Sequence, residues 1–252
     1  MQQFLYIVIF VLLRCTASSQ IFEAKYAVKQ SLSLSFENTV IPYELNFEGF
    51  TYYSGNKFIY YQKPLFLKEY PEGEKVFKSP TNNYAIGNIG IDTIQRITYR
   101  NLDSLMAYIK VGSANDNTQF YTKYFFEIGA RVFKLLPDIK IINGLHCQHA
   151  SLYDSNDTSK VMVDIWFCSD IEINFGPADI SDVPGLIVYA NYYNTFEVFQ
   201  LTSYKYNPDV TDSIFWPSEF SYANFTTSAT VKKYQGKKKK TKDQLKAEIM
   251  KQ

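Results

Sequence analysis

The chain has two histidines, His146 and His149, and both lie beside Cys147. A second cysteine, Cys168, follows two residues after Trp166. Imidazole and thiolate are the ligands of tetrahedral zinc and of soft copper sites, so Cys147, His149 and Cys168 form the candidate metal set. In an oxidising compartment the same two thiols form the candidate disulfide, the simpler of the two readings. His146 is one residue out of phase and points to the opposite face of a strand. Asp170, Glu172, Asp179 and Asp182 cluster further on, but an acidic turn of this kind reads as solvated loop and not as a general acid and its base. The chain has no Gly-x-Ser-x-Gly elbow, His-Glu-x-x-His pair, Walker loop or Gly-x-Gly-x-x-Gly. No catalytic residue and no cofactor are expected.

The elements that position these residues read as strands. Tyr and Phe number 21 and 20 in 252 residues, and aromatic side chains suit a pleated, half-buried surface. Strand-like runs at residues 145–153 and 161–167 flank the turn-like cluster Asp154-Ser155-Asn156-Asp157-Thr158-Ser159, which predicts a hairpin. A register in which paired residue numbers sum to 315 sets Cys147 opposite Cys168 and places His149 and Trp166 on their face; an even sum forbids the direct cysteine pair. Residues 22–36 alternate with a period of two. Phe22, Tyr26, Val28, Leu32, Leu34 and Phe36 take one face, and Lys25, Lys29, Ser33 and Ser35 the other. Tyr43, Leu45 and Phe47 continue the pattern, Ser54-Gly55-Asn56-Lys57 turns the chain, and residues 57–61 form the next strand. Residues 62–92, rich in Pro and Gly, read as connection with a short strand at 65–70. Residues 93–111 fit a helix or a hairpin, and the hairpin is preferred. Further strands are expected at 120–127, 130–136, 160–168, 186–192 and 196–206. The expected class is all-β, an antiparallel meander forming a curved sheet or half-barrel, with a two-sheet β-sandwich as the alternative.

Residues 4–13 form an unbroken apolar run, too short to span a bilayer but suited to the core of a signal peptide, and Ala17-Ser18-Ser19 offers a cleavage site. The expected domains are a leader at 1–19, one β-rich body at 20–230 and a tail at 231–252. Arg14 before Cys15 argues against lipidation. The tail carries nine Lys against Asp243 and Glu248, a net of +7. With +1 on the whole chain and Arg14 in the leader, −7 remains on the body. A weak contact of the tail with anionic lipid or polysaccharide is one reading and a solvated end the preferred one. Export and an acidic body argue against nucleic acid.

The run from Phe175-Gly176-Pro177 to Pro184-Gly185-Leu186-Ile187 resembles the signature of the GLPGLI family, exported proteins of Gram-negative bacteria. Ile142-Asn143-Gly144-Leu145-His146-Cys147 and Val163-Asp164-Ile165-Trp166-Phe167 are similar to two further segments of that family. Asp182 and Val183 depart from its Gly-Leu, and Cys168 stands where Thr is usual, so the disulfide is not a family feature. The resemblance implies export to the periplasm, the outer membrane or the exterior and a β-rich fold, with no established activity. Gly176, Pro177, Pro184, Gly185, Leu186 and Ile187 are expected to act as a folding device: Pro184 fixes φ and Gly185 supplies the positive φ of a type II turn.

Two function classes follow. The first is a non-enzymatic envelope protein whose aromatic-rich sheet holds an apolar or peptide ligand or docks on another envelope protein. The second is a divergent exported hydrolase, which requires a nucleophile and a converging base in a deep pocket.

Overall fold

The computed structural model describes residues 20–88, 95–112, 119–126, 131–154, 157–181 and 183–227. The leader, the tail and Asp182 lie outside them. Most of the described chain is strand, and it contains no α-helix. β1 (Phe22–Phe36), β2 (Thr39–Ser54) and β3 (Lys57–Pro64) form an antiparallel meander that resumes in β6 (Arg96–Asn101), β7 (Met106–Gly112) and β8 (Gln119–Phe125). A second meander runs through β9 (Arg131–Ile142), β10 (Leu145–Asp154), β11 (Asp157–Cys168), β12 (Leu186–Tyr192) and β13 (Glu197–Tyr206). β13 pairs antiparallel with β1, which joins the two into one sheet in the order β14-β8-β7-β6-β3-β2-β1-β13-β12-β11-β10-β9. The short β14 (Thr226–Thr227) adds the one parallel pair.

That order requires curvature. β8 and β9 are consecutive in the chain, yet ten inter-strand spacings separate them, about 48 Å in a flat sheet. The six residue steps from Phe125 to Arg131 reach at most about 22 Å. The sheet therefore rolls until its two ends approach. It remains an open half-barrel, and the two-sheet sandwich is not formed.

The alternation of β1 is realised. Phe22, Tyr26 and Val28 are buried, Leu32, Leu34 and Phe36 are half-buried, and Lys29, Ser33 and Ser35 are exposed. The expected hairpin at 93–111 is β6 with β7. Two expectations are corrected. Residues 65–70 are not a strand but a single 3-10 turn over Phe66–Lys68, because Pro64 ends the β3 ladder. The connection 62–92 also holds a second small sheet, β4 (Glu74–Lys78) with β5 (Tyr84–Asn88). Phe77 of this hairpin packs edge-on against Tyr43, and Glu37 at the β1–β2 turn accepts hydrogen bonds from Thr81 and Asn83 at 2.5 Å.

The larger of two cores lies on the inner face. Tyr26, Val28, Phe47, Phe58, Tyr60, Ile165, Phe167, Ala190, Phe199 and Leu201 build it from both meanders. The segment between β11 and β12 crosses it and contributes Ile171, Ile173, Phe175, Ile180 and Val183. The smaller core covers the outer face of β3 and β6, where Ile59, Tyr61, Ile97 and Tyr99 meet Phe215 and Phe220 from the segment after β13.

Candidate functional site

The 315-sum register of the β10–β11 hairpin is realised from Gln148 opposite Phe167 to Leu152 opposite Val163. Cys147 and Cys168 lie just beyond the end of that ladder. Both are buried in the inner core as free thiols. Burial pushes the Cys147 thiol above its ordinary range, and the neighbouring Cys168 adds to the shift. His149 does not join them. Its ring stacks on Trp166 with centroids 4.4 Å apart and planes 1° from parallel, Nδ1 lies 3.1 Å from Asp138 and Nε2 lies 2.8 Å from Asp164. Burial opposes protonation of His149, but its hydrogen bonds to the Asp138 and Asp164 carboxylates outweigh it and hold the imidazole above its ordinary range. Cys147, His149 and Cys168 are thus not brought together as a ligand set. Among the described residues no group of three or more His, Cys, Asp or Glu could hold a metal ion. His146 is exposed.

The run from Phe175 to Ile187 packs as an irregular segment, and its glycines meet their surroundings in a different way from the one expected. Gly185 does not have positive φ; in this segment Ala178 does, at 55°. A Cβ on Gly185 would lie 2.3 Å from the Cys168 carbonyl oxygen, so glycine is required there by the close approach of two backbones. A Cβ on Gly176 would meet the Ile187 side chain at 2.1 Å. Pro177 and Ile180 close a turn between them, and Leu186 N–H donates to Ile171. Asp179 accepts the Tyr192 hydroxyl at 2.6 Å, Tyr26 donates to the Ile187 carbonyl at 3.0 Å, and Phe175 stacks on Tyr53 and packs at a tilt against Phe58. Asp170 and Glu172 are exposed. The run fixes the inner core in place.

The inner face has another character on β6, β7 and β8. In register, Tyr60, Thr98, Ile109 and Thr122 form one row and Phe58, Arg100, Ala107 and Tyr124 the next, while Gln62 pairs with Arg96 and Val111 with Phe120. On β3 and β6 these positions carry the polar groups Gln62, Tyr60, Thr98 and Arg100, all buried, and the half-buried Arg96. Tyr60 donates to Gln62 at 2.8 Å, Gln62 donates to Glu197 at 3.1 Å, and Arg96 approaches the same carboxylate at 3.7 Å. Gly49 makes room for this chain, since a Cβ there would lie 2.8 Å from the Tyr60 hydroxyl. Burial pushes the Tyr60 phenol well up, and the Glu197 charge adds to it, so Tyr60 is a fixed neutral donor. The outer columns are apolar and less enclosed. Ile109, Val111 and Tyr124 are half-buried, Phe120 is 52% exposed, and none of the four packs into either core.

This strip carried no sequence signal as a site, because its members look like ordinary strand residues until the register aligns them. The nearest approach to a hydrolytic set is on the other side of the sheet. There Ser151 donates to Asp164 at 3.4 Å, and the same carboxylate oxygen lies 2.8 Å from His149 Nε2.

No family model matches the chain, and no curated protein is similar to it. Among solved structures it is similar to PNGF-II in two crystal forms. One match has 17% identity and a TM-score of 0.46 over 83% of this chain and 31% of that one; the other has 16% and 0.45 over 92% and 33%. The chain spans about a third of the length of PNGF-II. A DUF1329 family protein from Desulfovibrio piger matches with 10% identity and a TM-score of 0.35, over 83% of this chain and 95% of that one. At these values no property of those proteins passes to this chain.

Proposed function

We propose that the chain is a non-enzymatic binding module of the exported GLPGLI type, which takes an apolar ligand along the strip Ile109, Val111, Phe120 and Tyr124. One observation carries this reading: a strip of apolar side chains on the inner face of a rolled sheet belongs to neither core, although elsewhere Ile171, Ile173, Phe175, Ile180 and Val183 pack into the larger core. A concave apolar surface with a few placed polar groups is the usual form of a small-molecule site. The polar groups here are Thr98 and Thr122, with Arg96 at the end of the Glu197 chain. A second reading, docking on another envelope protein, is favoured by the outward face of the β4–β5 hairpin, where Val76, Tyr84 and Ile86 are 61%, 65% and 71% exposed.

The test is titration with the neutral fluorescent probe N-phenyl-1-naphthylamine, followed by displacement with dodecanol. Phe120→Asp places a charge on the strip at an exposed position, so it is expected to weaken probe binding at least about tenfold while the thermal midpoint stays within about 2 °C. Wild-type protein that binds neither probe nor dodecanol would remove the strip as a ligand site. Retained binding in a variant carrying Val76→Thr and Ile86→Thr would separate the strip from the hairpin surface.

A further inference from the structure

Arg100 is 3% exposed, and among the described residues no carboxylate pairs with it. Its Nη1 donates to the backbone carbonyl of Asp179 at 3.0 Å, its guanidinium lies 5.3 Å from the centre of the Phe126 ring, and its Nε has no hydrogen-bond partner. On that segment the Asp179 carboxylate takes the Tyr192 hydroxyl. A buried guanidinium is expected to be matched by an acid, because a charge held away from water without a counter-charge is costly. The half-buried Arg96 on the same strand follows that rule, since it faces Glu197. Arg100 departs from it, and its place in the lattice is informative: it stands opposite Ala107, in the row that ends at Tyr124, one row from Ile109.

On the reading that the strip holds an apolar ligand, we propose that the ligand is a single-chain anionic amphiphile whose carboxylate head pairs with Arg100 and whose hydrocarbon lies along Ile109, Val111 and Phe120. The head supplies the missing counter-charge and accepts from Nε, the donor left without a partner. The tail covers side chains that neither core takes up. A planar guanidinium suits a carboxylate better than it suits a hydroxyl, so the site discriminates by charge where the strip alone discriminates only by length. An uncharged chain of equal length leaves the buried charge unmatched and binds less tightly.

Dodecanoate, below its micelle concentration, and dodecanol are titrated against the full chain by displacement of N-phenyl-1-naphthylamine. Dodecanoate is expected to bind at least about tenfold tighter than dodecanol, the usual margin of a hydrogen bond to a charged group. In Arg100→Gln that preference falls to near equality, and Arg100→Lys keeps part of it. Dodecanol is read in parallel as the measure of the strip. A role of Arg100 confined to holding the Asp179 turn would lower the thermal midpoint and move both ligands together, leaving their ratio unchanged, which would overturn the proposal. Equal binding of the two ligands by wild type would overturn it while leaving the strip in place; binding of neither would remove both. A third arm uses vesicles of phosphatidylglycerol and of phosphatidylcholine. Binding to the anionic vesicles without binding to dodecanoate would put the counter-charge on a membrane surface and end the proposal.

Discussion

Gly144 and Gly185 are both glycine for local reasons, but the reasons differ and substitution separates them. Gly144 has φ of +79°, follows Asn143 at +54°, and has nothing within 4 Å of a built Cβ. The two residues form the primed turn between Ile142 and Leu145, where strand twist favours left-handed backbone. Gly185 has no such φ, and its constraint is the Cys168 carbonyl. Alanine is expected to cost about 1–2 kcal/mol at 144 and about 1–3 kcal/mol at 185. Asparagine, which tolerates the left-handed region, should recover much of the loss at 144 and none at 185. Urea unfolding of the four variants checks this, and recovery by Gly185→Asn would restore a conformational role for that glycine. The type and spacing Pro-Gly pointed to a turn, and the segment is indeed irregular. The reason for Gly185 was not legible, because close approach depends on a strand end seventeen residues earlier in the chain.

At the scale of elements, period-two patterning carried most of the information. β1 and β12 match their expected limits because each has one buried face and a clear stop. The β10–β11 register was also legible from residue 148 to residue 152, where Ala150 faces Ile165 as the expected sum of 315 requires. The β4–β5 hairpin was not seen. Its apolar face is turned outward at Val76 and Ile86 and only Phe77 is buried, so the alternation has nothing to pack against except one ring. The fate of the paired cysteines is the element-level prediction. Both thiols are enclosed and the Cys147 thiolate is disfavoured by burial, so 5,5′-dithiobis(2-nitrobenzoic acid) should leave Cys147 and Cys168 unmodified in the native protein near pH 8. Both should react in urea, as located by peptide mass. Failure to react in urea without reductant, with reaction after reduction, would show that the pair closes into the disulfide that the register permits.

The whole molecule is two meanders held together by the β1–β13 ladder, which pairs residues from Phe22 with Tyr206 to Gln30 with Glu197. That seam is long-range, so neither meander completes its core alone. Tyr26 and Val28 on β1 need Phe199 and Leu201 on β13, and the Tyr26 hydroxyl needs the carbonyl of Ile187. Further links cross the concavity, from Gln62 to Glu197 and from Arg100 to Asp179, while the segment after β13 returns to cover the outer face of β3 and β6 through Phe215 and Phe220. This architecture predicts one cooperative unfolding unit, not two half-sheets that melt separately. The two tryptophans are placed to test it. Trp166 lies in the second meander against His149, and Trp216 lies over the first against Tyr99 and Tyr108. Trp166→Phe and Trp216→Phe each leave a single fluorescent reporter, one per half. Within each variant, the fluorescence transition in urea is compared with the loss of β-sheet circular dichroism in the same samples, and the two midpoints should coincide. A reporter that unfolds while most of the sheet signal persists would show that the seam fails first and that the halves are separate domains. Folding through such a seam must close loops of more than 160 residues before its contacts form, so refolding is expected to take milliseconds to seconds and not microseconds.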